Sequence, residues 1–190
     1  MKQLDLLIKE IQNNLSSHAV DGWFVADFHS HNPIARKFLP DNVFLSRRWA
    51  LWIPKKGKAE ITEIDNVACY RMTGNVTTEN NGGFIQIRTL INPEIDAANH
   101  DGIYLKVYGN NKKYSLHIRT PFTLAPWQYY FYKFEAKNNW MEIKVPFNKF
   151  EKSNFYQPKK LPNQKLKTIG LVAGFDNFKA DVCLAEIGFY

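Results

Sequence analysis

Hydrophobic and polar positions follow two different rhythms along the chain. Near the N-terminus Leu4, Leu7, Ile8, Ile11 and Leu15 recur at helical spacing, with Lys2, Asp5, Lys9, Glu10 and Gln12 between them, which predicts an amphipathic helix of about three turns. Asp21-Gly22 breaks that rhythm, and Trp23 to Phe28 reads as extended. From Trp49 onward the period is two, and turn residues return about every eight to twelve positions, the mark of an all-β sandwich or barrel. Strands are predicted at Trp49–Ile53, Ala59–Ile64, Val67–Val76, Phe84–Ile91, Gly102–Tyr108, Tyr114–Thr120, Gln128–Glu135, Met141–Val145, Lys167–Phe175 and Asp181–Phe189. Asn- and Gly-rich corners separate them, and the longer stretch Glu151–Gln164 holds Pro158 and Pro162, which excludes it from an inner strand.

Alternation also sorts the middle strands into faces. Ile85 and Ile87, then Ile103, Leu105 and Val107, then Tyr114, Leu116 and Ile118 are expected in the core. Gln86 and Arg88, then Tyr104, Lys106 and Tyr108, then Ser115, His117 and Arg119 are expected on the outward face, where cations and tyrosines converge. The densest aromatic run, Trp127 to Phe134, must send alternate members to opposite sides, so Trp127 with Tyr129 is a candidate stacking platform.

With 45% hydrophobic and 15% aromatic residues, 190 residues suffice for one domain with a sizeable core. The net charge of +7 favours anionic partners, yet the basic residues come as short groups such as Arg47-Arg48 and Lys159-Lys160 beside turn residues, and no nucleic-acid partner is expected. Cys69 and Cys183 lack the spacing of a metal site and sit in strand-like runs, so two buried inert thiols are expected. No apolar run reaches the roughly 18 residues that a membrane span needs. Asp5, Lys9 and Glu10 interrupt any signal-peptide core, and cytoplasmic residence is expected, a mitochondrial one only with a transit peptide ahead of this sequence.

Catalytic patterns do not emerge. Gly-x-Ser-x-Gly, Ser-x-x-Lys and a supported cysteine are missing, and the carboxylates are dispersed. Asp27, His29 and His31 would share one side of an extended segment, but three ligands in one short loop beside Asn32-Pro33 fit a solvated loop better than a metal site. Asn80-Asn81-Gly82-Gly83 runs into a strand and not a helix, so it reads as a corner and not a phosphate cradle.

One ordered series of motifs carries a family likeness. After Asn80-Asn81-Gly82-Gly83-Phe84-Ile85-Gln86-Ile87-Arg88 come His100-Asp101-Gly102-Ile103-Tyr104-Leu105-Lys106-Val107-Tyr108-Gly109 and Lys113-Tyr114-Ser115-Leu116-His117-Ile118-Arg119-Thr120. Trp140 to Phe147 with Phe150, Ile169-Gly170-Leu171 and a closing Glu186-Ile187-Gly188-Phe189-Tyr190 follow. Over about residues 67 to 190 the chain resembles the complex I intermediate-associated protein 30 family. The resemblance implies a galactose-binding-like jelly-roll β-sandwich and a chaperone-like assembly factor without catalysis of its own. That sandwich is also similar to carbohydrate-binding modules. One departure stands out: before the Asn-Gly-Gly strand members carry Asp-x-Val-Met-Gly-Gly-x-Ser, and here Asp41-Asn42-Val43-Phe44-Leu45-Ser46 keeps the Asp and Val but lacks both glycines.

The expectation is therefore an N-terminal helix and linker over residues 1–22 and one jelly-roll domain over 23–190, acting as a non-enzymatic binding or assembly domain for a protein partner. A glycan bound on the outward sheet face is the alternative. The candidate binding residues are Arg88, Lys106, Tyr108, His117, Arg119, Trp127 and Tyr129, with no catalytic or metal-ligating set. No cofactor is expected; a structural calcium ion would accompany the glycan alternative.

Overall fold

The computed structural model describes residues 19–20, 23–27, 48–52, 57–78, 83–125 and 127–190, with side chains from residue 57 onward except 89–94. Thirteen strands are present among them: β1 (Ala19–Val20), β2 (Trp23–Asp27), β3 (Arg48–Trp52), β4 (Gly57–Ile64), β5 (Val67–Val76), β6 (Ile85–Ile95), β7 (Gly102–Tyr108), β8 (Lys112–Arg119), β9 (Tyr130–Ala136), β10 (Met141–Pro146), β11 (Glu151–Lys152), β12 (Leu166–Ala173) and β13 (Phe178–Phe189). A 3-10 turn, Phe147–Lys149, follows β10. They form two antiparallel sheets, a large one ordered β1-β2-β3-β6-β12-β8-β9-β11 and a small one ordered β10-β7-β13-β5-β4. The all-β jelly-roll sandwich expected from the sequence is what the chain adopts. The predicted helix near the N-terminus lies outside the described residues, as do the Asp41–Ser46 segment, His29, His31 and Asn80 to Gly82.

Period two is the physical cause of the layering. Ile103, Leu105 and Val107 of β7 and Tyr114, Leu116 and Ile118 of β8 are all buried, yet they belong to opposite sheets whose apolar faces close on one another. Ile85 and Ile87 of β6, Leu166, Ile169 and Leu171 of β12, and Met72, Val182 and Leu184 of the small sheet complete that core. Tyr114 ties the layers together: its buried hydroxyl donates to Asn110 Oδ1 at 2.7 Å and accepts from the Asp181 N–H at 3.0 Å. Burial pushes this phenol up to about 12.

Turn chemistry sets the register where hairpins are tight. Asp65 and Asn66 carry φ of 51° and 61° between β4 and β5, the left-handed pair that a two-residue hairpin needs and that Asp and Asn tolerate. Between β7 and β8 Gly109 approaches Ala136 so closely that any side chain would strike its Cβ and carbonyl, and Asn111 turns with φ of 58°.

Two expectations are corrected. Cys69 of β5 and Cys183 of β13 are not separate thiols: they are joined by a disulfide across 114 positions of sequence, between Cα atoms 5.6 Å apart. The separation in sequence hid a pairing that the antiparallel β5–β13 register creates. The bridge sits under Ile64, Val67, Tyr108 and Trp140 in a small apolar cluster on the outer side of the small sheet. The second correction concerns β7, which lies in the small sheet, so Tyr104, Lys106 and Tyr108 do not share an outward face with β6 and β8. A jelly roll sends consecutive strands to alternate layers, and alternation alone does not reveal which layer a strand joins.

Candidate binding cleft

Three adjacent strands of the large sheet place one row of residues side by side. Gly170 of β12 is paired with Arg88 of β6 on one side and with His117 of β8 on the other. The glycine leaves the middle of that row without a side chain and so forms a floor; a Cβ there would lie 3.2 Å from Arg88 Cβ and 3.5 Å from Gln86 Oε1. Thr168 stands opposite Arg119 in the neighbouring row. Phe84, Trp127, Tyr129 and Phe175 wall the resulting cleft, which measures about 290 Å³.

The β8–β9 loop reaches the cleft because Arg119 holds it. Arg119 Nη2 donates to the carbonyls of Thr123 at 3.1 Å and Ala125 at 2.9 Å. Thr123 Oγ1 donates to Thr120 O at 2.7 Å, and Ala125 N–H donates to Gln128 Oε1 at 3.0 Å. Trp127 thereby stands at the rim, 66% exposed. Beyond it the β11–β12 loop is bound to the same segment. Ser153 N–H donates to Tyr129 O at 2.9 Å, and Ser153 Oγ accepts from Tyr129 N–H and lies 2.9 Å from Trp127 O. The buried Gln157 donates through Nε2 to Tyr129 O at 3.1 Å and accepts at Oε1 from the Asn154 N–H at 2.9 Å. Two aromatic rings, Phe155 and Tyr156, are left in solvent with centroids 3.8 Å apart.

The cleft is cationic, and its charged groups are partly withdrawn from solvent. Burial lowers the Arg119 guanidinium from its ordinary value; Arg88 is lowered first by burial and then by the charge of Arg119. His117 stacks on Tyr129 with centroids 4.1 Å apart and planes 12° from parallel. Burial, reinforced by the charge of Lys133, takes this imidazole down to about 3, so it is neutral at physiological pH. Its Nε2 is buried without a hydrogen-bond partner. None of the described lining residues bears a carboxylate.

Phe175 enters the site through an unusual backbone. It has φ of 66°, a region that a bulky residue occupies at a cost of about 1 kcal/mol or more. That conformation brings its ring centroid 6.0 Å from His117 and 6.0 Å from Lys133 Nζ.

Five of the seven sequence candidates, Arg88, His117, Arg119, Trp127 and Tyr129, thus line one cleft. Lys106 and Tyr108 lie on the far side of the sandwich, where Lys106 Nζ is 3.8 Å from Glu186 Oε1 and Tyr108 meets Trp140 edge-on at 5.6 Å. Thr168, Gly170, Phe175 and the Ser153–Gln157 loop were not among the candidates. Thr168 and Gly170 were legible in principle, because they fall on the outward phase of a predicted strand and a glycine inside a strand marks close approach. Among the described residues no three His, Cys, Asp or Glu side chains come together as metal ligands, and no helix is long and apolar enough to cross a membrane.

Fold and cleft together define a jelly-roll β-sandwich with a cleft on the outer face of its large sheet. Solved structures with this architecture include the family 11 carbohydrate-binding module of the cellulase Lic26A-Cel5E of Clostridium thermocellum, with TM-score 0.62 and 15% identity over 74% of this chain and 86% of that one. The Clostridium thermocellum family 11 module in complex with a β-1,3-1,4-mixed-linked tetrasaccharide gives 0.59 and 13% over 91% of each chain. An exo-β-agarase gives 0.53 and 7% over 80% of this chain and 24% of that one. At such identities the likeness defines the fold alone. No curated protein matches the chain by sequence. The profile of complex I intermediate-associated protein 30 matches residues 56–184, and the chain belongs to that family.

Proposed function

We propose that the protein is a non-catalytic assembly-factor domain that docks a protein partner on the outer face of its large sheet, around the cleft and the two loops beside it. One observation carries this reading: Phe122, Leu124, Trp127, Phe155 and Tyr156 are 56% to 86% exposed on two loops hydrogen-bonded to each other. Scattered apolar residues need no explanation, but five large ones on a pair of braced loops form the type of patch that marks an interface. The network of Ser153, Asn154 and Gln157 limits the entropy that ordering the loop would otherwise cost on binding. Family membership supports the assembly role, and the reading requires no cofactor. For the compartment, the Cys69–Cys183 bridge supports an oxidising one over the expected cytoplasm, because reducing thiol pools keep such bridges rare.

The test is affinity purification from the native cell with the wild type, with Leu124→Ser plus Tyr156→Ser, and with Lys106→Ala on the opposite sheet. The reading requires one partner recovered by the wild type and by Lys106→Ala and lost from the loop variant. A partner retained by the loop variant defeats it.

A glycan reading is favoured by a different observation, the exposed Trp127 beside Tyr129 with Gln86, Arg88 and Arg119 within the same cleft. Retardation in gels that contain soluble β-glucan, abolished by Trp127→Ala, would establish it.

A further inference from the structure

We propose that the cleft is a carboxylate receptor, taking an Asp, Glu or C-terminal carboxylate of the docked protein partner while an apolar neighbour of that residue rests against Trp127 and Phe175. This rests on the docking reading above and specifies its chemistry. Charge complementarity carries it. Residues 112–134 and 152–175, which supply β8, β12, both loops and most of β9, contain nine Lys or Arg and not one of the 18 acidic residues of the chain. Arg119 is half-buried, and among the described residues its hydrogen bonds are to two carbonyls on a single nitrogen, with no carboxylate paired to it. A cation withdrawn from water without a counter-charge is held at a cost that an entering anion removes. With Nη2 given to the loop carbonyls, Nη1 and Nε of the same guanidinium are left to donate charge-assisted hydrogen bonds to a carboxylate. His117 adds a buried, unpartnered Nε2 above the Gly170 floor, a neutral donor in the tautomer protonated there. The apolar walls favour a monoanion attached to a hydrophobic body over a free, strongly hydrated one. An exposed aliphatic side chain on the loop that Arg119 holds, Leu124, suits a peptide better than a sugar ring.

The full chain is titrated with the peptides acetyl-Leu-Glu-Phe-amide and acetyl-Leu-Gln-Phe-amide, following the Trp127 indole N–H by NMR, with tetragalacturonate as the glycan probe. The Glu peptide is expected to bind roughly ten-fold more tightly than its Gln twin. Arg119→Met should abolish that ratio, and Lys106→Met should leave it unchanged. Because Arg119 also holds the loop, Gly170→Ala serves as a second variant: it fills the floor, alters no charge, and should weaken the Glu peptide several-fold. Equal binding of the two peptides overturns the proposal. So does binding of neither at millimolar concentration, binding of tetragalacturonate alone, or a ratio that follows Lys106. If the Glu preference fails while the partner is still lost from the Leu124 and Tyr156 variant, the carboxylate inference falls and the docking surface stands. If the partner ignores those loops, the docking reading falls instead.

Discussion

His117 offers the sharpest thermodynamic handle on the cleft, because its environment makes a quantitative statement about acid stability. The imidazole, stacked on Tyr129 and lowered from 6.5 to about 3 by burial and then by Lys133, is neutral in the folded protein at pH values where the unfolded chain already protonates it. Between these two values the unfolded state binds more protons, so the contribution is fully present above about pH 6.5 and is lost as pH falls toward 3. At pH 4.5, two units below the unfolded value, the loss attributable to this one residue is about 3 kcal/mol at most. The full interval corresponds to roughly 4 to 5 kcal/mol as an upper bound, since a cleft that opens toward water lets a charged ring be solvated. Arg88 and Arg119 share the cleft and no carboxylate among its described lining residues compensates the imidazolium. His117→Phe retains a planar ring against Tyr129 and removes the proton. Urea unfolding of both proteins at pH 7, 5.5 and 4.5 should show the wild type losing about 2 to 3 kcal/mol more than the variant over that range. Parallel stability curves, or an NMR titration placing the His117 imidazole near 6.5, would falsify the account of a buried imidazole.

Replacing Cys69 and Cys183 together by alanine, or adding reductant, should lower stability by about 2 to 4 kcal/mol in denaturant titrations, because the bridge closes a loop of more than a hundred residues. Gln157→Ala leaves Tyr129 O and the Asn154 N–H without their partner, so a loss of about 1 to 3 kcal/mol is expected together with weaker partner recovery. Phe175→Gly should separate stability from binding: the left-handed backbone is relieved, so unfolding free energy in denaturant titrations is kept or rises by up to about 1 kcal/mol, while affinity at the cleft falls.

Much of the sandwich could be read from hydrophobic alternation. Val67–Val76 and Gly102–Tyr108 were predicted with their observed bounds, and the residues expected in the core from Ile85 to Ile118 are buried. Strand ends were less legible, since side-chain and backbone pairing at the margins does not follow polarity: β12 stops at Ala173, before the turn at Phe175 that the predicted strand had included. Period two fixes which residues share a face of one strand, and says nothing about the sheet that strand enters. That is why Arg88, His117 and Arg119 were grouped correctly in space while Lys106 and Tyr108, from the intervening strand, were not. Trp127 and Tyr129 reached the cleft by a route that alternation does not encode, through the Arg119 hold on the Thr123 and Ala125 carbonyls. The disulfide was hidden for a related reason: Cys69 and Cys183 become neighbours only through the β5–β13 register, a long-range pairing that no local pattern announces.

The central claim is that the large sheet, at its cleft and braced loops, is where a partner binds. Hydrogen–deuterium exchange of the purified protein, alone and with the partner recovered from the native cell, tests it most directly. Slowed exchange concentrated in residues 117–130 and 153–157, with β7 and β10 unchanged, is the predicted result. Protection confined to the outer side of the small sheet, around Lys106, Tyr108 and Trp140, would contradict it.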